Sequence, residues 1–125
     1  MCTRFILNLR KFDHISAGFN SLQMLNMENA RKVQSLCLMH KLVQKNAPSY
    51  LLEKLTFNEN VHNYNTRSRA DIHTRQFRTN YGRNCYLNHV GQLYNYITNH
   101  LGINNNVTVS TFKSKLKNYF VGLQI

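Results

Sequence analysis

The sequence predicts a small, mainly α-helical domain of about five to six helices, with a basic loop or short β segment near residues 61–83. Three observations lead there. Apolar residues recur at helical spacing through most of the chain. That periodicity is lost over residues 61–83, where five arginines meet one acid, Asp71. Sixteen Lys and Arg against five Asp and Glu give a formal charge of +11, while 42% hydrophobic residues are too many for a disordered basic tail.

At the start of the chain, Cys2, Phe5, Ile6 and Leu9 fall on one face of a short helix. The chain thus begins inside a helical pattern, as at a truncated boundary. Lys11, Phe12 and Asp13 form a break, after which Ser16 or Asp13 is expected to cap a second short helix carrying Phe19, Leu22 and Leu25. The longest helix is expected over residues 27–44. Asn26 is a good N-cap, Glu28 suits the positive end of the helix dipole, and Lys41 and Lys45 suit the other end. Ala30, Val33, Leu36, Cys37 and Val43 make one stripe; Leu38, Met39 and Leu42 widen it, which predicts cover on two sides. His40, in this apolar section, reads as a satisfied core or boundary residue rather than a ligand. Pro48 cannot continue the helix but suits the first position of a new one, over residues 48–55, burying Tyr50, Leu51 and Leu55.

Past the basic segment, in which Asn80, Tyr81 and Gly82 read as a turn, Asn84 is expected to cap a helix over residues 85–100. Its stripe is Tyr86, Val90, Leu93, Tyr94, Ile97 and Leu101, and Gly102 is placed to stop it in the left-handed conformation. Thr108 or Ser110 then caps a last helix, with Phe112, Leu116, Tyr119 and Phe120 inward and Lys113, Lys115 and Lys117 outward. A single domain therefore falls into a helical part (1–58), a basic part (59–83) and two further helices (84–125).

Most chemistries find no residues to carry them. The five acids are scattered, so neither a paired-carboxylate site nor a two-metal phosphoryl-transfer site is expected, and there is no Gly-rich phosphate loop. Cys85, His89 and His100, with His62 and His73, do not make the close pairs of a zinc site, so no metal and no cofactor is expected, and Cys85 reads as a small packed hydrophobe. Three cysteines without a CxxC fit a reducing compartment, and no apolar run reaches the length of a signal core or a membrane span. An intracellular location, cytoplasmic or nuclear, is expected, and the sequon at Asn106 reads as a chance match. The charge balance favours a polyanion. Residues 61–83 are the candidate: arginine bonds phosphate bidentately, and the interleaved Tyr64, Phe77 and Tyr81 either stack on unpaired bases or pack the loop onto the core.

Several stretches carry a family resemblance. Phe5-Ile6-Leu7-Asn8-Leu9-Arg10, Asp13-His14-Ile15-Ser16, Leu22-Gln23-Met24-Leu25, Asn46-Ala47-Pro48-Ser49-Tyr50-Leu51, His62-Asn63-Tyr64-Asn65-Thr66-Arg67, Tyr94-Asn95 and Phe112-Lys113-Ser114-Lys115-Leu116-Lys117 resemble, in order and spacing, the C-terminal region of a non-LTR retrotransposon reverse transcriptase. The chain departs from that pattern at Tyr94, where Trp is usual, and at Ile97-Thr98, where Leu-Pro is usual; Gly18 and Met24 also stand near positions usually filled otherwise. The resemblance implies the end of a thumb plus a helical extension, without the palm and its Tyr-x-Asp-Asp element. It therefore implies a non-enzymatic remnant that contacts RNA or an RNA/DNA hybrid, or a piece completed by a palm and thumb on another chain. The nucleic-acid contacts expected are Arg67, Arg69, Arg75, Arg78, Arg83 and Tyr64, with Lys113 and Lys117 at the margin, and no catalytic residue.

Overall fold

The computed structural model describes residues 2–123; Met1 and the side chain of Cys2, part of the first expected stripe, lie outside the description. The protein is mainly helical, as the periodicity predicts. The described helices are α1 (Cys2–Ile6), α2 (Ser16–Ser21), α3 (Met27–Val43), α4 (Ser49–Leu52), α5 (Asn58–Val61), α6 (Asn80–Arg83), α7 (Tyr86–Leu101) and α8 (Val109–Leu123). That is more than five or six, because α5 and α6 are single turns at the start and the end of the stretch expected as loop or strand. No strand forms among the described residues; the extended pairing reduces to one antiparallel bridge between Phe57 and Ile72.

Contacts gather the chain into two compact units. The first holds the residues up to Gln34 and those from Ser110 onward. Its buried side chains are Val33 on α3 and Phe112, Leu116 and Phe120 on α8, spaced four apart along the inward face. Lys113, Lys115 and Lys117 lie on the exposed remainder of α8. Asn26 caps α3 as expected: its Oδ1 accepts from the Asn29 backbone N–H at 2.8 Å, and Glu28 pairs with Lys32 at 3.1 Å. Asp13 and Ser16 do not cap α2. The Asp13 carboxylate accepts instead from the Arg10 backbone N–H at 2.9 Å, and Ile15 occupies the cap position without a side-chain bond. The α1 stripe is not buried: Phe5 is 89% exposed and Ile6 is exposed too.

The second unit runs from Ser35 to Val109. Leu36, Cys37, Met39, His40 and Leu42 from α3 are buried, as are Val90, Tyr94 and Ile97 from α7, together with Ile72 and Ile103. Leu38 stays exposed, so the second covered side of α3 comes from Met39 and Leu42 alone. Pro48 sits just before α4 rather than in its first turn, the helix is a single turn, and Tyr50 is exposed rather than buried. Asn84 ends α6 instead of capping α7. Cys85 takes the α7 cap position and is exposed rather than packed.

Helix ends share one device. A left-handed residue follows α1, α2, α3 and α7: Asn8 (φ 53°), Gln23 (φ 52°), Lys45 (φ 60°) and Gly102 (φ 62°). After α3, the Lys45 N–H bonds the Leu42 carbonyl at 3.1 Å and the Asn46 N–H bonds the Lys41 carbonyl at 3.0 Å. These two bonds satisfy carbonyls that the helix itself leaves open, the paired arrangement of a Schellman end. The same pair of bonds recurs after α1 and α2. Only Gly102 adopts this backbone without steric cost.

Candidate nucleic-acid interface

The basic segment belongs to the second unit, and its position is set by asparagines. On α7, Asn88, Gly91 and Asn95 stand at i, i+3 and i+7 and so share one face. The extended residues after Asp71 lie on that face. Asn95 pairs with Ile72 twice: its Oδ1 accepts the Ile72 N–H at 3.0 Å and its Nδ2 donates to the Ile72 carbonyl at 2.9 Å. A side-chain amide thus supplies what a neighbouring strand would supply. A Cβ on Gly91 would stand 3.5 Å from the Ile72 side chain and 3.4 Å from that of Thr74, ordinary contact distances, so the segment lies directly against this face of α7.

Asn58 closes the base of the loop that precedes this segment. Its Nδ2 donates to the Ser68 carbonyl at 2.8 Å, its Oδ1 lies 3.2 Å from His73 Nδ1, and its N–H bonds the Asp71 carbonyl at 3.0 Å. The Glu59 N–H bonds the Arg69 carbonyl at 3.1 Å and the His73 N–H bonds the Thr56 carbonyl at 2.8 Å. Above this base every residue of 61–70 is exposed. The loop is held at its root and bare at its tip.

The expected contact residues divide by what they already bind. Arg67, Arg75 and Arg78 are exposed and have no ion pair or hydrogen bond to another described side chain. Arg69 is engaged: its Nε lies 3.8 Å from the Glu59 carboxylate, and its Nη1 donates to Asn65 Oδ1. Arg83 donates from Nε to the Phe77 carbonyl at 3.1 Å. Tyr64 is 73% exposed and stacks on His62, ring centroids 6.1 Å apart, while His62 meets His73 edge-on at 6.5 Å. Tyr81 is 92% exposed. Tyr64 and Tyr81 therefore do not pack the loop onto the core. Lys113 and Lys117 belong to the first unit, on α8.

The residues weighed for zinc do not converge. Among the described residues no three of His, Cys, Asp or Glu are placed to share a metal ion. His40 is fully buried and bonded at both ring nitrogens, 2.9 Å from the Tyr94 hydroxyl and 2.6 Å from the Val107 carbonyl, as expected for a core histidine. No described helix is long and apolar enough to cross a membrane.

The positioning roles of Asn58 and Asn95 are absent from the composition and periodicity reading. A signal for Asn95 was present: an asparagine and a glycine four apart on one face beside the apolar stripe of α7 mark a helix side that receives backbone rather than side chains. Compared with protein-family models, curated proteins and solved structures, the chain finds no match.

Proposed function

We propose that this chain is a non-catalytic binding module that holds RNA or DNA by its phosphate backbone, in keeping with its resemblance to the end of a retrotransposon reverse transcriptase. The observation that carries this reading is the rooted, fully exposed loop of residues 61–70 with the extended segment after it, where Arg67, Arg75 and Arg78 stand uncompensated beside exposed Tyr64 and Tyr81. Guanidinium groups free of acidic partners displace condensed counterions from a nucleic acid, and that release drives association at low salt. Binding through phosphates is weakly sequence-selective. The scattered acids offer nothing to hold catalytic cations, so primer extension by this chain alone is not expected. Fluorescence anisotropy with a labelled single-stranded RNA at two salt concentrations tests the proposal. Tight binding at low salt that falls steeply with added salt supports it; no binding at low salt rejects it.

A second reading draws on a different observation. Phe5, Ile6 and Phe12, with Lys11 reaching over the Phe12 ring at 5.7 Å, are all largely exposed in the first unit. Such exposure favours an incomplete structural piece that self-associates or is finished by another chain. Sedimentation and thermal melting separate the two: a monomer that melts cooperatively speaks against the incomplete piece.

A further inference from the structure

Beside the α7 face that seats residues 72–74 lies an open cleft of about 380 Å³, within the second unit. Its size falls within the range of small-molecule sites, roughly 300–1,000 Å³. Phe77, Asn88, Cys85, Thr74, Arg75 and Lys54 are among its walls. Two of these residues are in unusual states. Phe77 is 37% exposed although it is an aromatic ring in a cleft, and it is held there by Gly82, where a Cβ would come within 2.7 Å of the ring. Asn88 is only 7% exposed, and its Oδ1 has no hydrogen-bond partner; its Nδ2 is committed to the Arg83 carbonyl at 3.3 Å. A buried acceptor left in this way is costly, and it is usually met by a donor.

We infer that this cleft takes one unpaired nucleobase of a bound single strand. The inference rests on the proposed nucleic-acid binding and assigns a base-recognition site within it. The chemistry matches part by part. The partly bare Phe77 ring offers a stacking surface, which every base can use. Asn88 lines the cleft, and its buried, unmet Oδ1 is the acceptor that a base-edge N–H would satisfy once a small turn of the side chain brings it to the wall. Arg75 and Lys54, exposed cations at a cleft that also carries the exposed Glu53 carboxylate, meet the flanking phosphates and outnumber that one acid. A duplex does not present a base in this way, so the site favours unpaired strands.

Two short single-stranded probes of equal length test this on the whole chain: one with adenine bases, the other an abasic sugar-phosphate of the same charge. The base-bearing strand is expected to bind about tenfold more tightly, the scale of one base stacked on an aromatic ring. It should also slow alkylation of Cys85, which is exposed at the cleft, whereas the abasic strand at equal occupancy should not. Phe77→Leu should remove the preference for bases. Equal affinity for the two probes, or an unaltered Cys85 alkylation rate at saturation with the base-bearing strand, overturns the inference while leaving phosphate binding standing. If neither probe binds, the proposed function fails and this inference falls with it. The alkylation measurement uses the unsubstituted chain, so it decides the matter even if the leucine variant does not fold.

Discussion

The His40 ring and the Tyr94 hydroxyl meet at 2.9 Å in the buried part of the second unit. The opposite nitrogen of His40 lies 2.6 Å from the Val107 carbonyl. A carbonyl only accepts, so Nε2 carries a proton; the Tyr94 hydroxyl also lies 3.4 Å from Asn105 Oδ1, to which it donates. Gln44 donates to the same Val107 carbonyl at 2.6 Å and to the Asn105 carbonyl at 3.0 Å. The loop of Asn104, Asn105 and Asn106 is therefore fastened to α3. Tyr94→Phe takes the partner from a buried ring nitrogen and is expected to lower stability by about 1–3 kcal/mol. Urea unfolding measures it. In a double-mutant cycle with His40→Leu, the two losses should sum to more than the double variant shows.

Asn95→Ala should be among the more damaging surface-adjacent changes. It leaves both backbone groups of Ile72 without the partners given above, at an expected cost of about 2–4 kcal/mol. The effect should be local first. Hydrogen exchange at the Ile72 amide should quicken before that of α3, since the segment after Asp71 is held to α7 by this amide.

Lys45→Gly should stabilise the chain. The residue after α3 must adopt a left-handed backbone to make the two closing bonds, and a lysine there bears the Cβ penalty that glycine lacks. The gain expected is about 0.5–1 kcal/mol, reduced from the full penalty because glycine also frees the unfolded chain. A thermal melt that moves down rather than up would contradict this account of the helix end.

Gly102 shows how far such ends are legible in a sequence. A glycine after a periodic run announces its helix stop, and that expectation held. Asn8, Gln23 and Lys45 do the same work with no comparable mark, because tertiary and end-of-helix bonds override their weak backbone preference. The long helices were legible because three or more turns of apolar spacing leave a periodic trace; α5 and α6, of four residues each, are too short to leave one. The exposed arginines could be read from composition. Which of them is free could not, since the pairing of Arg69 with Glu59 depends on how the loop returns to its own root. Asn95, on the face of α7 beside its stripe, looks like an ordinary solvent-side residue until the segment it receives is in place.

Burial pushes the Tyr86 and Tyr94 hydroxyls up from 10.0 to about 12. The folded chain keeps protons on these groups that the unfolded chain releases above pH 10. Their contribution to stability is therefore complete below pH 10 and is lost as the pH rises from 10 through 12. Spectrophotometric titration of the folded chain should show a late phenolate step near pH 12. Tyr94→Phe and Tyr86→Phe should each diminish that step, and urea should move it to the ordinary range. Unfolding on the alkaline side should set in across the same interval.

Arg67 and Arg69 stand two residues apart on one exposed loop, yet they should not matter equally to nucleic-acid binding. Arg67 has no acidic partner, so its full charge is available to a phosphate. Arg69 must first leave Glu59, at 3.8 Å, and Asn65. Arg67→Gln should therefore weaken binding more than Arg69→Gln and should lower the slope of log affinity against log salt by about 0.7 on a single strand. Glu59→Gln supplies the converse: freeing Arg69 should tighten binding and make it steeper in salt. All three changes lie on exposed residues and should leave the melting temperature nearly unmoved, because exposed ion pairs contribute little to stability. Equal losses for Arg67→Gln and Arg69→Gln, with Glu59→Gln silent, would mean that the loop acts through its overall charge rather than through the free guanidinium at Arg67.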